Sequence, residues 1–208
     1  MKRNYIILLG LVIGILISLL AFFYSSKSTS KSVIEYSVYI KGAVDPTLGK
    51  EDAKTIIIEY FDFTCPHCAH FHLEKLPKLY KNYIENGKVK FISKSFLLRP
   101  QSLYPALASR CAYEQNKYWE YSHKLFDEFL RSGPFAYNRA NFIRIAYELK
   151  LDTLEFIKCF DSQKYKDIIL RNVEEGLKDS IRATPTFIIN GQKIEGDLPY
   201  EEFVKFIK

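Results

Sequence analysis

The chain has 208 residues, 48% of them hydrophobic, with 15 Tyr and 16 Phe, which is enough for one packed domain and an accessory segment. Its net charge of +6 is spread through interleaved Lys and Glu, and no basic cluster with interleaved aromatics stands apart. Nucleic acid is therefore excluded as the expected partner. Lys2 and Arg3 precede 18 uncharged, mostly aliphatic residues, Ile6 to Phe23. That run approaches the roughly 20 residues that cross a bilayer core. A cleavable leader has a shorter apolar region and a small-x-small site, and the candidate here, Ser26-Lys27-Ser28, lies in a polar stretch. Residues 1–24 are read as a signal peptide or, in preference, an uncleaved signal anchor, with the rest of the chain outside the cytoplasm by the positive-inside rule. Gly10 and Gly14 form a G-x-x-x-G in this span, a pattern that also arises by chance in apolar segments.

Residues 25–34 are a flexible polar linker, and residues 35–208 are the folded part. Glu35 to Ile40 alternates weakly, as an edge strand would, and Gly42 to Ala53 reads as a loop. Thr55 to Phe61 is an apolar run of the kind found in buried strands. A helix is expected from Pro66 to about Ile84, with Cys68, Leu76, Leu79 and Tyr83 on one face and Pro77 kinking it. Val89 to Phe96 alternates as a second strand. From about 98 to 181 the pattern is helical only: Ser102 to Glu114, Tyr118 to Leu130, Asn141 to Lys150, Thr153 to Phe160 and Tyr165 to Ser180. Pro185 to Ile189 and Gln192 to Ile194 then form a hairpin about Asn190-Gly191, and Pro199 to Ile207 is a final helix. The expected architecture is a small α/β sheet interrupted by a helical insertion.

Chemistry concentrates at Cys65-Pro66-His67-Cys68, where a buried strand delivers two cysteines to the start of a helix. Cys65 falls at the N-cap and Pro66 at the first helical position, where its missing N–H is not needed. Unpaired amides, the helix dipole and a protonated His67 all favour a Cys65 thiolate. Lowering its pKa by about 3 from roughly 8.5 stabilises the reduced pair by on the order of 4 kcal/mol, or roughly 90 mV. Such a pair gives its disulfide away. Cys68, one turn deeper, is the resolving thiol. Glu59 shares a strand face with Ile57 and Phe61, so its carboxyl is placed to exchange a proton with Cys68; the alternative is a strand-edge glutamate in a salt bridge. Cys65, Cys68, His70 and His72 also offer four possible zinc ligands. Yet structural zinc sites draw a second pair from elsewhere, so no metal is expected and His70 and His72 are read as surface or groove residues. His123 is read as part of a solvated face. Cys111 and Cys159, in an oxidising compartment, suggest a structural disulfide, with two buried free thiols as the alternative.

The string from Ile57 through Cys68, followed by Arg182-Ala183-Thr184-Pro185-Thr186-Phe187, resembles the DsbA-type thiol:disulfide interchange proteins over about Glu51 to Lys208. The resemblance implies a thioredoxin fold with an inserted helical domain and a buried glutamate at Glu59. It also implies a cis Thr184–Pro185 bond against Cys65, whose loop presents substrate as an added strand. The implied function is oxidation of exported proteins with free thiols in the bacterial envelope or periplasm, with no cofactor. The implied reoxidant is a quinone-coupled membrane protein of the DsbB type. A reductase or isomerase with a dedicated client, and a non-catalytic metal-binding module, remain the alternatives.

Overall fold

Strand β2 (Thr55–Phe61) is the axis of the molecule, with its neighbours β1 (Thr47–Leu48), β3 (Val89–Ser95), β4 (Thr186–Ile189) and β5 (Gln192–Glu195) in the order β1-β3-β2-β4-β5. The computed structural model describes Tyr36 and residues 44–207. The apolar run 6–23, the polar linker and nearly all of the expected edge strand lie outside the described residues. Among the described residues, no helix is long and apolar enough to cross a membrane. β2 pairs parallel with β3 and antiparallel with β4, setting Glu59 beside Ser93 on one side and Phe187 on the other. The stretch read as a loop from Gly42 to Ala53 contains β1, which adds antiparallel to β3 through Thr47 and Leu48. Two residues carry no periodicity, so the pattern could not announce that strand.

The β2–β3 crossover is α1, residues 66–84, which begins as α-helix (Pro66–His70), widens to a π segment (Phe71–Lys75), returns to α (Leu76–Leu79) and widens again (Tyr80–Ile84). Pro77 has no N–H to give to the previous turn, and the chain answers with i→i−5 bonding: Leu76 N donates to the Phe71 carbonyl. Pro77 then sits in the first turn of the renewed α segment.

Between β3 and β4 the chain is helical: a 3-10 turn (Pro100–Ser102), α2 (Leu103–Glu114), α3 (Tyr118–Ser132), a 3-10 turn (Gly133–Ala136), α4 (Arg139–Glu148), α5 (Thr153–Asp161) and α6 (Lys166–Lys178). Asp152 caps α5 by accepting from Leu154 N and Glu155 N at 3.0 and 3.1 Å, and Asn138 caps α4. A disulfide joins Cys111 of α2 to Cys159 of α5, with a Cα–Cα distance of 5.8 Å. The final helix is shorter than the sequence pattern suggests, running as α7 (Tyr200–Phe203) and a 3-10 turn (Val204–Phe206).

Apolar side chains gather in two principal cores. One joins Ile57, Phe71, Leu79, Phe91, Phe187 and Phe203 under the sheet. The other joins Phe61, Phe63, Leu107, Phe126, Phe142 and Phe156 inside the helical insertion. α1 serves both, because Cys68 and Ala69 face the insertion and Phe71, Leu76 and Leu79 face the sheet. The cysteines therefore lie where the two cores meet.

Candidate active site

β2 ends at Phe61, and Asp62 folds the chain into the turn that starts α1. Its buried carboxylate accepts from Thr64 N at 2.6 Å, Thr64 Oγ1 at 2.8 Å and Leu98 N at 2.6 Å, while its carbonyl accepts from Cys65 N at 3.1 Å. This is an Asx-type turn. Thr64 Oγ1 is tied onward to Ser102 and to the Arg99 guanidinium, and Tyr137 of the insertion donates to the Phe63 carbonyl at 2.8 Å. The turn that carries Cys65 is thus held from β2, from the loop after β3 and from the insertion.

Cys65 is the extended N-cap of α1 and Pro66 its first helical residue. Both cysteines are free thiols, Cys65 being 6% exposed and Cys68 fully buried, while Pro66 and His67 face solvent. The Thr184–Pro185 peptide is cis, and the Cys65 thiol donates to the Thr184 carbonyl at 3.2 Å. The loop is pinned by Gly196 N on the Pro185 carbonyl and Thr186 Oγ1 on the Ala183 carbonyl, at 2.8 and 2.7 Å.

The two thiols are driven apart in acidity. The Cys65 pKa is lowered from 9.0 to about 6, chiefly by the hydrogen bond from the Cys68 thiol; burial opposes this, and Thr184 and the backbone amides of Cys68 and His67 lower it further. The Thr184 hydroxyl, buried and otherwise without a hydrogen-bond partner, is the donor that an ionised Cys65 gains when its own proton leaves. Cys68 is pushed well above the ordinary thiol value by desolvation, then by its bond to Cys65 and by the charges of Cys65 and Glu59.

Glu59 is fully buried on central β2, not at a sheet edge, and it does pair with a cation-forming group. That partner is His72, whose Nε2 lies 2.9 and 3.1 Å from the two Glu59 oxygens, and the Ser93 hydroxyl donates to the carboxylate at 3.4 Å. The reading of His72 as a surface or groove residue is corrected: it is 3% exposed, one turn after the fully buried Cys68 and packed among Phe61, Phe71 and Phe126. His70 is exposed and pairs instead with Asp197, which also binds Lys75 at 2.6 Å. His123 is half-buried and not on a fully solvated face. Among the described residues, no three His, Cys, Asp or Glu side chains converge as a metal site.

The pattern around the cysteines led to Cys65, Cys68, Glu59, Thr184 and Pro185, which the fold gathers at one place. It did not lead to Asp62, Thr64, Tyr137 or His72. Asp62-x-Thr64 directly before a helix start was a legible turn signal. A cavity of about 580 Å³ lies elsewhere, lined by Lys50, Lys54, Tyr83, Gly87 and Lys88 at the entry ends of β2 and β3. It is remote from the chemistry, which sits at the exit end of β2.

Comparison with known proteins agrees with this geometry. The Thioredoxin family model matches residues 42–208. Disulfide bond formation protein D of Bacillus subtilis is 27% identical over 179 residues, covering 81% of this chain and 77% of that protein. A Rickettsia bellii protein with a provisional protein-disulfide oxidoreductase name is 29% identical over 160 residues, covering 73% of this chain but 59% of its relative. The chain thus spans little more than half the length of the rickettsial relatives it matches. Among solved structures, Wolbachia pipientis alpha-DsbA1 superposes with a TM-score of 0.66 at 28% identity, covering 78% of this chain and 88% of that one. Chlamydia trachomatis DsbA shares the fold with a TM-score of 0.70 at 22% identity, over 78% of this chain and 89% of its own.

Proposed function

The chain belongs to the thioredoxin family, and on that premise we propose that it is a DsbA-type thiol:disulfide oxidoreductase that introduces disulfides into exported proteins. The observation that carries this reading is the unequal pair at the head of α1: a Cys65 thiol lowered to about 6 and a Cys68 thiol raised far above it. Ionisation of Cys65 stabilises the reduced pair relative to a pair of ordinary thiols, so its disulfide is the more oxidising and passes oxidising equivalents on.

In the forward reaction an exported protein's thiolate attacks Cys65 Sγ, and Cys68 leaves. The substrate's second thiol then attacks its own sulfur in the mixed disulfide, and Cys65 departs as a stabilised thiolate. Glu59 is the group placed to protonate Cys68. The backbone at Thr184 and Pro185 holds an extended substrate chain beside Cys65 through main-chain hydrogen bonds, which accommodates many sequences. Pro66 and His67 form the solvent-facing lip of the pair. Residues 6–23 serve as a membrane anchor or signal, with residues 25–34 as the tether, placing the domain in the periplasm or an equivalent envelope space. A DsbB-type membrane protein supplies the return oxidation.

The metal-module alternative loses its ligands here, since His72 is committed to Glu59 and His70 to Asp197. Cys68→Ala is the direct test. It should accumulate mixed disulfides between Cys65 and thiol-bearing exported proteins, seen as reductant-sensitive bands on non-reducing gels. No such adducts, under conditions where the wild type oxidises a two-cysteine peptide, would rule out Cys65 as the nucleophile.

A further inference from the structure

His72 is a buried titratable group beside the cysteines to which the exchange chemistry described above gives no task. Its ring is enclosed by Phe61, Phe71 and Phe126, with centroids 5.3, 5.9 and 4.5 Å away. It lies four positions after Cys68, so the two share a face of α1. Its Nε2 is set against both oxygens of Glu59 while the carboxylate's other polar neighbour, Ser93, stands at 3.4 Å. The geometry points to His72 as a positioning residue: it shares with Glu59 one exchangeable proton, which Cys68 receives when the Cys65–Cys68 disulfide opens. This rests on the oxidoreductase reading above.

The step balances within the oxidised protein and its substrate. A substrate thiolate bonds to Cys65 Sγ, the Cys65–Cys68 bond breaks, and its electron pair stays on Cys68. Full burial and the facing Glu59 charge make that thiolate costly. Cys68 takes a proton through Glu59, and a His72 imidazolium replaces it from Nε2–H and is left as neutral imidazole; the proton that the substrate's second thiol releases in the next exchange restores the pair. Departure of Cys65 in the second exchange needs no proton. The substrate dithiol has lost two electrons and the protein disulfide has gained them.

Other ionisable groups face this pair from every side. α1 contributes the two cysteines, with His67 on the solvent side; Tyr118 of α3 feels the Glu59 charge, with Arg110 of α2 beyond it; Asp62 and Tyr137 lie on the Cys68 side. Burial lifts Tyr118 to about 12 and Tyr137 higher still.

The test is single-turnover oxidation of a two-cysteine peptide by the oxidised full-length protein between about pH 4 and pH 8. Wild type, H72Q, E59Q and the double variant are compared, with rates corrected for the peptide's thiolate fraction. The wild-type rate should fall through one inflection as pH rises. H72Q should lose that inflection and run about tenfold slower on the acid side, and the double variant should be no slower than E59Q. An inflection unchanged in H72Q, or losses that multiply in the double variant, would overturn the assignment. Should a variant fail to fold, histidine NMR of the wild type decides: a His72 midpoint that differs between the disulfide and dithiol forms upholds the shared proton, and identical midpoints overturn it. A wild type that oxidises no peptide refutes the oxidoreductase reading instead, and the NMR result still reports on His72.

Discussion

At Cys65, an N-cap position, a bond from a second thiol and a carbonyl-hydroxyl pair at Thr184 meet on one sulfur. The shift from 9.0 to about 6 is worth about 4 kcal/mol to the folded dithiol form. Because the folded value lies below the ordinary one, this stabilisation is complete above about pH 9, shrinks as pH falls and is lost below about 6. Denaturant unfolding of the dithiol and disulfide forms should therefore show the dithiol form gaining stability relative to the disulfide form between pH 6 and pH 9. A constant gap would contradict the thiolate. Since Cys68 is the leading cause of the shift, Cys68→Ala should move the midpoint of Cys65 alkylation upward from about 6. At this scale the sequence told the polar residues of one element well and the contacts between elements poorly. Alternation along β2 put Glu59 inward. The spacing of α1 put His72 one turn from Cys68, but nothing in the sequence said that the Glu59 carboxylate would meet it there.

Elements in this fold are fitted by local exceptions to regular geometry. Gly176 of α6 packs on the far face of β2, where an added Cβ would lie 2.6 Å from Phe96 and 3.2 Å from Tyr60. Gly176→Ala should cost about 1–3 kcal/mol by overpacking, read as a lower urea midpoint with an unchanged slope. The Cys111–Cys159 bridge links α2 and α5 across a separation of 48 residues. In the chain-entropy model a loop of that length is worth about 4 kcal/mol, so replacing both cysteines with alanine should lower the melting temperature while leaving exchange at Cys65 intact. Loss of exchange activity in the folded double variant would mean that the bridge takes part in the chemistry. The start of α5 was legible because Asp152 is a strong cap, whereas α4 begins at Arg139 behind its Asn138 cap, earlier than the Asn141 that the pattern gave. The helix C-termini of the insertion were read without the usual glycine signal: Asn116, Lys150, Gln163 and Ser180 all take positive φ where glycine is commonest.

Across the whole molecule, the insertion is bound to the segment before β1 through a buried ion pair. Arg110 of α2 is 1% exposed and donates to the Val44 carbonyl and to Asp45 Oδ1, both at 2.6 Å, and Asn172 of α6 donates to the same Asp45 oxygen at 2.9 Å. Asp45→Ala would strand the guanidinium in the core and should cost about 3–5 kcal/mol, measured by chemical denaturation. The order of strands and helices, and the interruption of the sheet by helices, could be read from period-2 and period-3.6 patterns. The pairing of Asp45 with Arg110, 65 residues away, could not, since either residue alone looks like a surface charge. The same holds for the approach of Thr184 to Cys65, 119 residues apart in sequence, one of the contacts on which the proposed direction of exchange depends. That direction is the central claim, and equilibration of the domain with glutathione buffers tests it most directly. The account predicts a reduction potential well above the roughly −270 mV of thioredoxin, with Cys65 ionised at neutral pH. A potential at or below that value, with Cys65 still a thiol at pH 8, would contradict it and make the protein a reductant.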